Sequence, residues 1–256
     1  MKYVAYIAGA LMLAGAAAPA SATTTFGQFL QRNPSARLFR YVNLDSGATR
    51  KAEIYTSGTT TGTSVASIPI YYILSAVGLP ADLTGLQNAH LTVDFVSNLG
   101  TTGPGNSRTQ LFDTVTNGSI SIIRDTAAAE GTFTRTNLLT VNFTNAELDA
   151  SQAGGSFTFK SNSNSVITYT SDFLDFSHVL TKDFSFSYSG ANPTFSSTIG
   201  KSSRGMRFSG TGTFASDPAP LVPGVPEVST WAMMLVGFGA AGSLMRTGRR
   251  REALSA

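Results

Sequence analysis

Apolar and polar residues alternate along much of the middle of this chain. Leu91, Val93 and Phe95 alternate with Thr92 and Asp94, and Leu139, Val141 and Phe143 with Thr140, Asn142 and Thr144. Phe157 and Phe159 flank Thr158, and Phe184, Phe186 and Tyr188 enclose Ser185 and Ser187. Met206, Phe208 and Phe214 share one parity with Gly210 and Gly212, opposite Arg207, Ser209, Thr211 and Thr213. A period of two places successive side chains on opposite faces of a strand, so each stretch predicts one apolar and one hydroxyl-bearing face. Ser119 to Arg124 and Val166 to Thr170 carry weaker forms of the pattern. Val65 to Leu74 is a longer apolar run broken by Pro69, which reads as an edge strand or a bulge. Asn117-Gly118, between Leu111–Val115 and Ser119–Ile123, predicts a hairpin turn. Gly100 to Gly105 and Gly154-Gly155 read as loops. Helix is scarce: Ala81 to Asn88 and Phe26 to Gln31 have room for a turn or two each, and Asn145 to Ser151 for one. Many short strands between Gly, Asn and Ser turns predict an all-β fold, a single antiparallel β-sandwich or jelly-roll-like domain. No internal repeat of useful period supports a solenoid or a propeller.

Two stretches depart from the alternation, and both lie at the ends. Met1-Lys2 and an uncharged apolar run from Val4 to Ala17 precede Ala20-Ser21-Ala22. Ala20 and Ala22 are small residues at the positions a signal peptidase reads, so residues 1–22 are expected to be a secretory signal peptide cleaved after Ala22. The body is then residues 23–216. Residues 217–227 form a linker with Pro218, Pro220, Pro223, Gly224 and Pro226, which cannot be helical because proline fixes its own φ and extends its predecessor. Residues 228–245 carry no charge and have no polar stripe. As a helix they reach about 27 Å, just enough for a bilayer core. Trp231 stands at one end of this expected transmembrane helix, and Arg246, Arg249, Arg250 and Arg251 begin the tail at residues 246–256, which the positive-inside rule keeps cytoplasmic.

Charge changes the picture only at these ends. The net charge is +3, and only 13% of the 256 residues are charged, against about 25% in an ordinary domain. Serine and threonine, 30 and 32 residues, take the remainder. From Thr23 to Val225 the 13 lysines and arginines are matched by 13 aspartates and glutamates, and the whole surplus belongs to the two termini. A neutral body has no electrostatic footprint for a phosphate backbone, so no nucleic-acid partner is expected. The absence of cysteine excludes disulfides, thiolate zinc sites and cysteine nucleophiles.

The order of features from Val225 is recognisable. Val225-Pro226-Glu227-Val228-Ser229-Thr230-Trp231-Ala232, then Met233-Met234-Leu235-Val236-Gly237-Phe238-Gly239-Ala240-Ala241-Gly242 and the arginines, resembles the PEP-CTERM sorting signal in its proteobacterial PEPxxWA form. Val228 stands where the family has its second proline. The resemblance implies that Val225, Pro226, Glu227, Trp231 and Ala232 are read by an exosortase, a membrane-embedded cysteine transpeptidase-like enzyme. It implies a transient inner-membrane anchor, cleavage near Pro226-Glu227, and release to the periplasm, outer surface or medium of an exopolysaccharide-making bacterium. The stretches Arg135–Thr144, Tyr169–Leu174 and Gly210–Phe214 resemble bodies that carry the same tag, and no activity comes with that likeness.

Candidate chemistry in the body is sparse. His90 and His178 are the two histidines, without a second histidine at ligand spacing, and they read as ordinary surface or half-buried side chains. No Gly-x-Ser-x-Gly elbow marks a nucleophilic serine. Asp172, Asp175 and Asp183 are the densest carboxylates and read as solvated loop groups, with calcium binding or a glycosidase pair as the sharper alternatives. Glu147 and Asp149 are expected to cap or flank a helical turn. Gly100 to Gly105 lacks the Gly-Lys-Ser/Thr of a P-loop. Tyr55, Tyr71, Tyr72 and Tyr169 are open candidates for a sugar platform, against core packing. No catalytic residue, metal site or cofactor is expected. The sequence points to a non-enzymatic exported protein associated with exopolysaccharide, with a lectin-like glycan-binding module as the alternative and a secreted hydrolase behind it.

Overall fold

A computed structural model describes residues 23–46, 50–76, 78–112, 118–130 and 133–223, with Phe238 in addition. Eleven strands follow one another: β1 (Thr24–Gln31), β2 (Phe39–Asn43), β3 (Ala52–Thr56), β4 (Ile68–Leu74), β5 (Leu86–Ser97), β6 (Ser107–Phe112), β7 (Gly118–Glu130), β8 (Phe133–Ser151), β9 (Phe157–Thr170), β10 (Thr181–Asn192) and β11 (Met206–Asp217). Two single 3-10 turns, Pro34–Ala36 and Ala81–Leu83, accompany them. The fold is therefore all-β, and every named strand pairing is antiparallel.

These pairings join all the strands into one sheet that returns on itself. From β11 they lead through β1, β4, β5, β7, β8, β9 and β10 and back to β11. β2 and β3 make a second bridge between β11 and β5, using Met206 to Phe208 and Asp94 to Ser97. β6 continues the line of β7 along β8. A sheet that closes in this way leaves few unpaired edges to solvent.

The inward side chains of the alternating strands fill the enclosed space. Phe95 of β5 stacks on Phe159 of β9 with ring centroids 4.3 Å apart, although β5 and β9 share no hydrogen-bonded ladder. Phe29 of β1 meets Phe186 of β10 edge-on at 5.0 Å, and Phe26 meets Tyr169 at 5.3 Å. Such offset and edge-to-face ring pairs add to the burial of their apolar area. The rings fit because β11 presents glycine opposite them. A Cβ on Gly212 would stand 2.3 Å from both Phe29 and Phe186, and one on Gly210 2.6 Å from Tyr188. Overpacking of this kind costs about 1–3 kcal/mol and sometimes more. Gly212→Val is expected to fall at the upper end, about 3 kcal/mol, in urea unfolding; an unchanged midpoint would show that the rings can move aside.

Several local expectations are corrected. Residues 26–31 are not helical but lie in β1. Phe26 and Phe29 both turn inward because a bulge between Thr25 and Gly27 shifts the parity, and their spacing of three mimics a helix. Residues 145–151 are also strand. Asn145 takes a left-handed φ of 58°, the ladder shifts there, and Ala146, Leu148 and Ala150 then alternate inward. Ala81 to Asn88 holds one 3-10 turn before β5 begins at Leu86. The hairpin expected at Asn117-Gly118 does not form: β6 and β7 pair with β8 end to end, so no β6–β7 ladder exists among the described residues. Gly118 is instead fixed by the Phe143 ring, 2.4 Å from where its Cβ would stand. Asn117 lies outside the described residues. Pro69 is not in an edge strand, because β4 pairs with both β1 and β5. Its carbonyl accepts from the Arg32 N–H just past the end of β1, so its missing donor faces the point where that ladder stops.

Candidate functional site

The residues expected to direct sorting, Val225, Pro226, Glu227, Trp231 and Ala232, lie outside the described residues, as do Arg246, Arg249, Arg250 and Arg251. So do Ala20, Ala22 and the rest of the expected signal peptide. Of the expected span 228–245 only Phe238 is described, and it is helical. No helix among the described residues is long and apolar enough to cross a membrane.

The points from which these segments leave the body are described. β1 begins at Thr24, opposite Ser216 near the end of β11. Both ends of the body therefore emerge side by side. After Asp217 the chain does not swing free. The Asp175 N–H donates to the Leu221 carbonyl at 2.7 Å, and the Leu221 N–H returns a bond to Asp175 at 3.1 Å. His178 Nε2 lies 3.1 Å from the Ala219 carbonyl, and Val222 is buried. The first half of the predicted linker is thus seated on the loop between β9 and β10.

The carboxylates singled out from the sequence are not gathered into one site. Asp172 accepts the backbone N–H groups of Thr136 and Asn137. Asp175 accepts the N–H and hydroxyl of Ser177, which hold its carboxyl below the usual range. Asp183 accepts from the Ser161 hydroxyl. Glu147 and Asp149 flank no helix. They project from β8 to Lys160 on β9, at 3.2 and 3.0 Å, and raise its ammonium above the ordinary value. Among the described residues no three histidine, aspartate or glutamate side chains stand close enough to hold a metal ion.

His90 projects outward from β5. Its Nδ1 is 2.6 Å from Asp125, whose other oxygen takes Arg32 at 2.7 Å, and the Arg32 guanidinium lies over Tyr71, 5.3 Å from the ring centre. This surface network joins the residue just after β1 to β4, β5 and β7. Sequence reasoning missed it, because no local spacing connects Arg32, His90 and Asp125. Of the four candidate tyrosines, Tyr55, Tyr72 and Tyr169 are buried and Tyr71 is exposed.

A second polar feature crosses β11, β2 and β3. Phe208, Phe39, Tyr41 and Met206 turn inward, so Arg207 and Arg40, which are direct cross-strand partners, face outward together. Arg40 is in turn opposite Tyr55, its guanidinium 5.9 Å from that ring. Beside the two arginines lies a depression of about 290 Å³ lined by Arg40, Val42, Asn192, Pro193, Gly205 and Arg207. The alternation on β11 puts Arg207 on the polar face, but nothing in the sequence joins it to Arg40. A larger open cleft of about 510 Å³ lies over β6, β8 and β9, between Arg108, Asp149 and Thr158.

No protein-family model, no curated protein and no solved structure matches this chain.

Proposed function

We propose that the chain is an exported cell-surface or extracellular-matrix protein, anchored transiently in the inner membrane by its C-terminal helix and processed there by an exosortase. The body is proposed to be non-enzymatic and associated with exopolysaccharide. The observation that carries this reading is the order of features at one end: Pro226-Glu227, Trp231-Ala232, an uncharged run and four arginines. The body supports it in two ways. Thr24 and Ser216 lie opposite each other, so the proposed leader and anchor leave from one place. The linker is seated as far as Val222, which leaves five residues to Glu227, at most about 18 Å of chain. The proposed scissile segment then stays close to both the body and the membrane. In shape we propose a closed sheet flattened like a sandwich, since rings from β5 and β9 meet face to face across it.

Fractionation of tagged protein from cells with and without the exosortase tests the sorting. Mass spectrometry of the mature C-terminus is expected to find an end near Glu227 when the enzyme is present and retention of Arg251 when it is absent. Arg251 retained in both strains would sink the reading.

A further inference from the structure

Arg40 and Arg207 occupy directly opposite positions on adjacent antiparallel strands. Cβ atoms so placed are about 5 Å apart, and like charges there destabilise a sheet. Among the described residues neither guanidinium has a carboxylate within ion-pair distance. Asp94 on β5 lies in the same cross-strand row but beyond Tyr55, two strands from Arg40, and Glu53 on β3 faces Val42 in the next row; Arg50 is the nearby cation of both. What the two arginines do have is backbone carbonyls. Both donate to Gly62 O, and Arg207 donates also to Thr59 O at 3.4 Å. Two guanidiniums carry ten N–H donors, of which these bonds use three. The carbonyls fix the forks in place without cancelling their charge. Burial and the neighbouring charge of Arg40 accordingly push the Arg207 pKa down.

A loop can be held to a sheet by one arginine, so two cations sharing a single carbonyl need another explanation. An oxyanion placed between them would accept several of the free N–H groups and remove the repulsion, and guanidinium forks match planar carboxylates. The adjoining depression is the size of one sugar ring, at the lower limit of ligand pockets. Asn192 pairs with Arg207 across β10 and β11 and offers an amide for ring hydroxyls, while Pro193 offers an apolar face. The site is shallow and open, which suits one residue of a long polymer better than an enclosed metabolite.

We propose that Arg40 and Arg207 bind the carboxylate of an acidic sugar residue whose ring rests in the depression between Asn192, Pro193 and Gly205. The site depends on these residues alone and is independent of how the chain is sorted.

Titration calorimetry on the full-length chain in non-ionic detergent tests it, with a trimer of galacturonate as probe. Saturable binding is expected. It should weaken by at least about tenfold in Arg40→Gln and in Arg207→Gln, through loss of charge-assisted bonds, and remain unchanged in Arg124→Gln, which pairs with Asp82 elsewhere. Because the arginines also hold residues 59–62, Arg40→Lys and Arg207→Lys accompany them. These keep a charge and a donor, and are expected to melt like the parent while binding severalfold more weakly. The methyl ester of the trimer should lose at least about tenfold, which isolates the carboxylate. Absence of binding, or equal binding by the double Gln variant, overturns the proposal. Equal affinity for the methyl ester, inorganic phosphate or hexaglutamate overturns the acidic-sugar assignment, the last in favour of an acidic peptide.

Discussion

Between pH 10 and pH 12 the folded body is expected to lose most of its stability. The cause is a set of buried phenols. Tyr41 is fully buried, and burial pushes its pKa up to about 12, although the Ser203 N–H donated to its hydroxyl acts in the opposite direction. Tyr72 and Tyr188 are raised by burial alone, and Tyr169 by burial first and the Asp183 charge second. An unfolded chain ionises its tyrosines near pH 10. A folded-state pKa above that value means a contribution that is complete below pH 10 and lost as pH rises through the folded value. For Tyr41 a shift of two units is worth about 2.7 kcal/mol. The three other phenols act in the same direction, and a domain has only about 5–15 kcal/mol in total. Urea midpoints are expected to hold up to about pH 10 and then fall steeply, with the absorbance of the buried tyrosines appearing only together with unfolding. Ionisation of all eight tyrosines with the fold intact would contradict this. Tyr72→Phe should reduce the fall, since its hydroxyl is buried with no partner among the described residues and its removal sacrifices no hydrogen bond.

Phe159→Ala should remove about 3–5 kcal/mol at neutral pH, the range for a large buried ring replaced by a methyl group. Phe159 stands at the meeting point of the closed sheet. It lies parallel to Phe95 with 4° between ring planes, and Phe112, Phe143, Phe184 and Phe186 surround it at 5.5 to 6.2 Å. Those neighbours come from β5, β6, β8 and β10, and backbone held in ladders cannot collapse into the space. Val166→Ala on the same strand is the control, because Val166 is 68% exposed and should change stability little. Chemical denaturation of both variants decides it; similar losses in the two would mean that the interior is not packed as described.

The strands were legible wherever one face is buried and the other wet. Leu91, Val93 and Phe95, or Phe184, Phe186 and Tyr188, announce their strands because a period of two has no other explanation in a run that long. Recognition failed where parity slips. The Thr25–Gly27 bulge turns a strand into a helical spacing, and the left-handed Asn145 sets the inward Phe143 and Ala146 three residues apart before the alternation resumes. Gly118 illustrates a different limit. Asn-Gly fits a turn, but the glycine is required by the Phe143 ring twenty-five residues away. Of the candidate carboxylates, Asp172 and Asp175 lie on the loop between β9 and β10, whereas Asp183, read as a loop group, stands in β10 opposite Ala215. The cluster of Arg32, His90 and Asp125 was not legible, since its members come from the end of β1, from β5 and from β7 and are far apart in sequence.

By itself the sequence determined the class of the fold, the neutral and hydroxyl-rich character of the body, and the two terminal segments that carry its excess charge. These are properties of local pattern and of composition, and no partner is needed to express them. Only the tertiary structure decided that β1 and β4 join β5 to β11 and close the sheet, and that the linker returns to Asp175. It alone placed Arg40 beside Arg207. Strand pairing is a long-range choice made by the fit of inward rings and the ladder register, and the same alternation is compatible with many orders of strands.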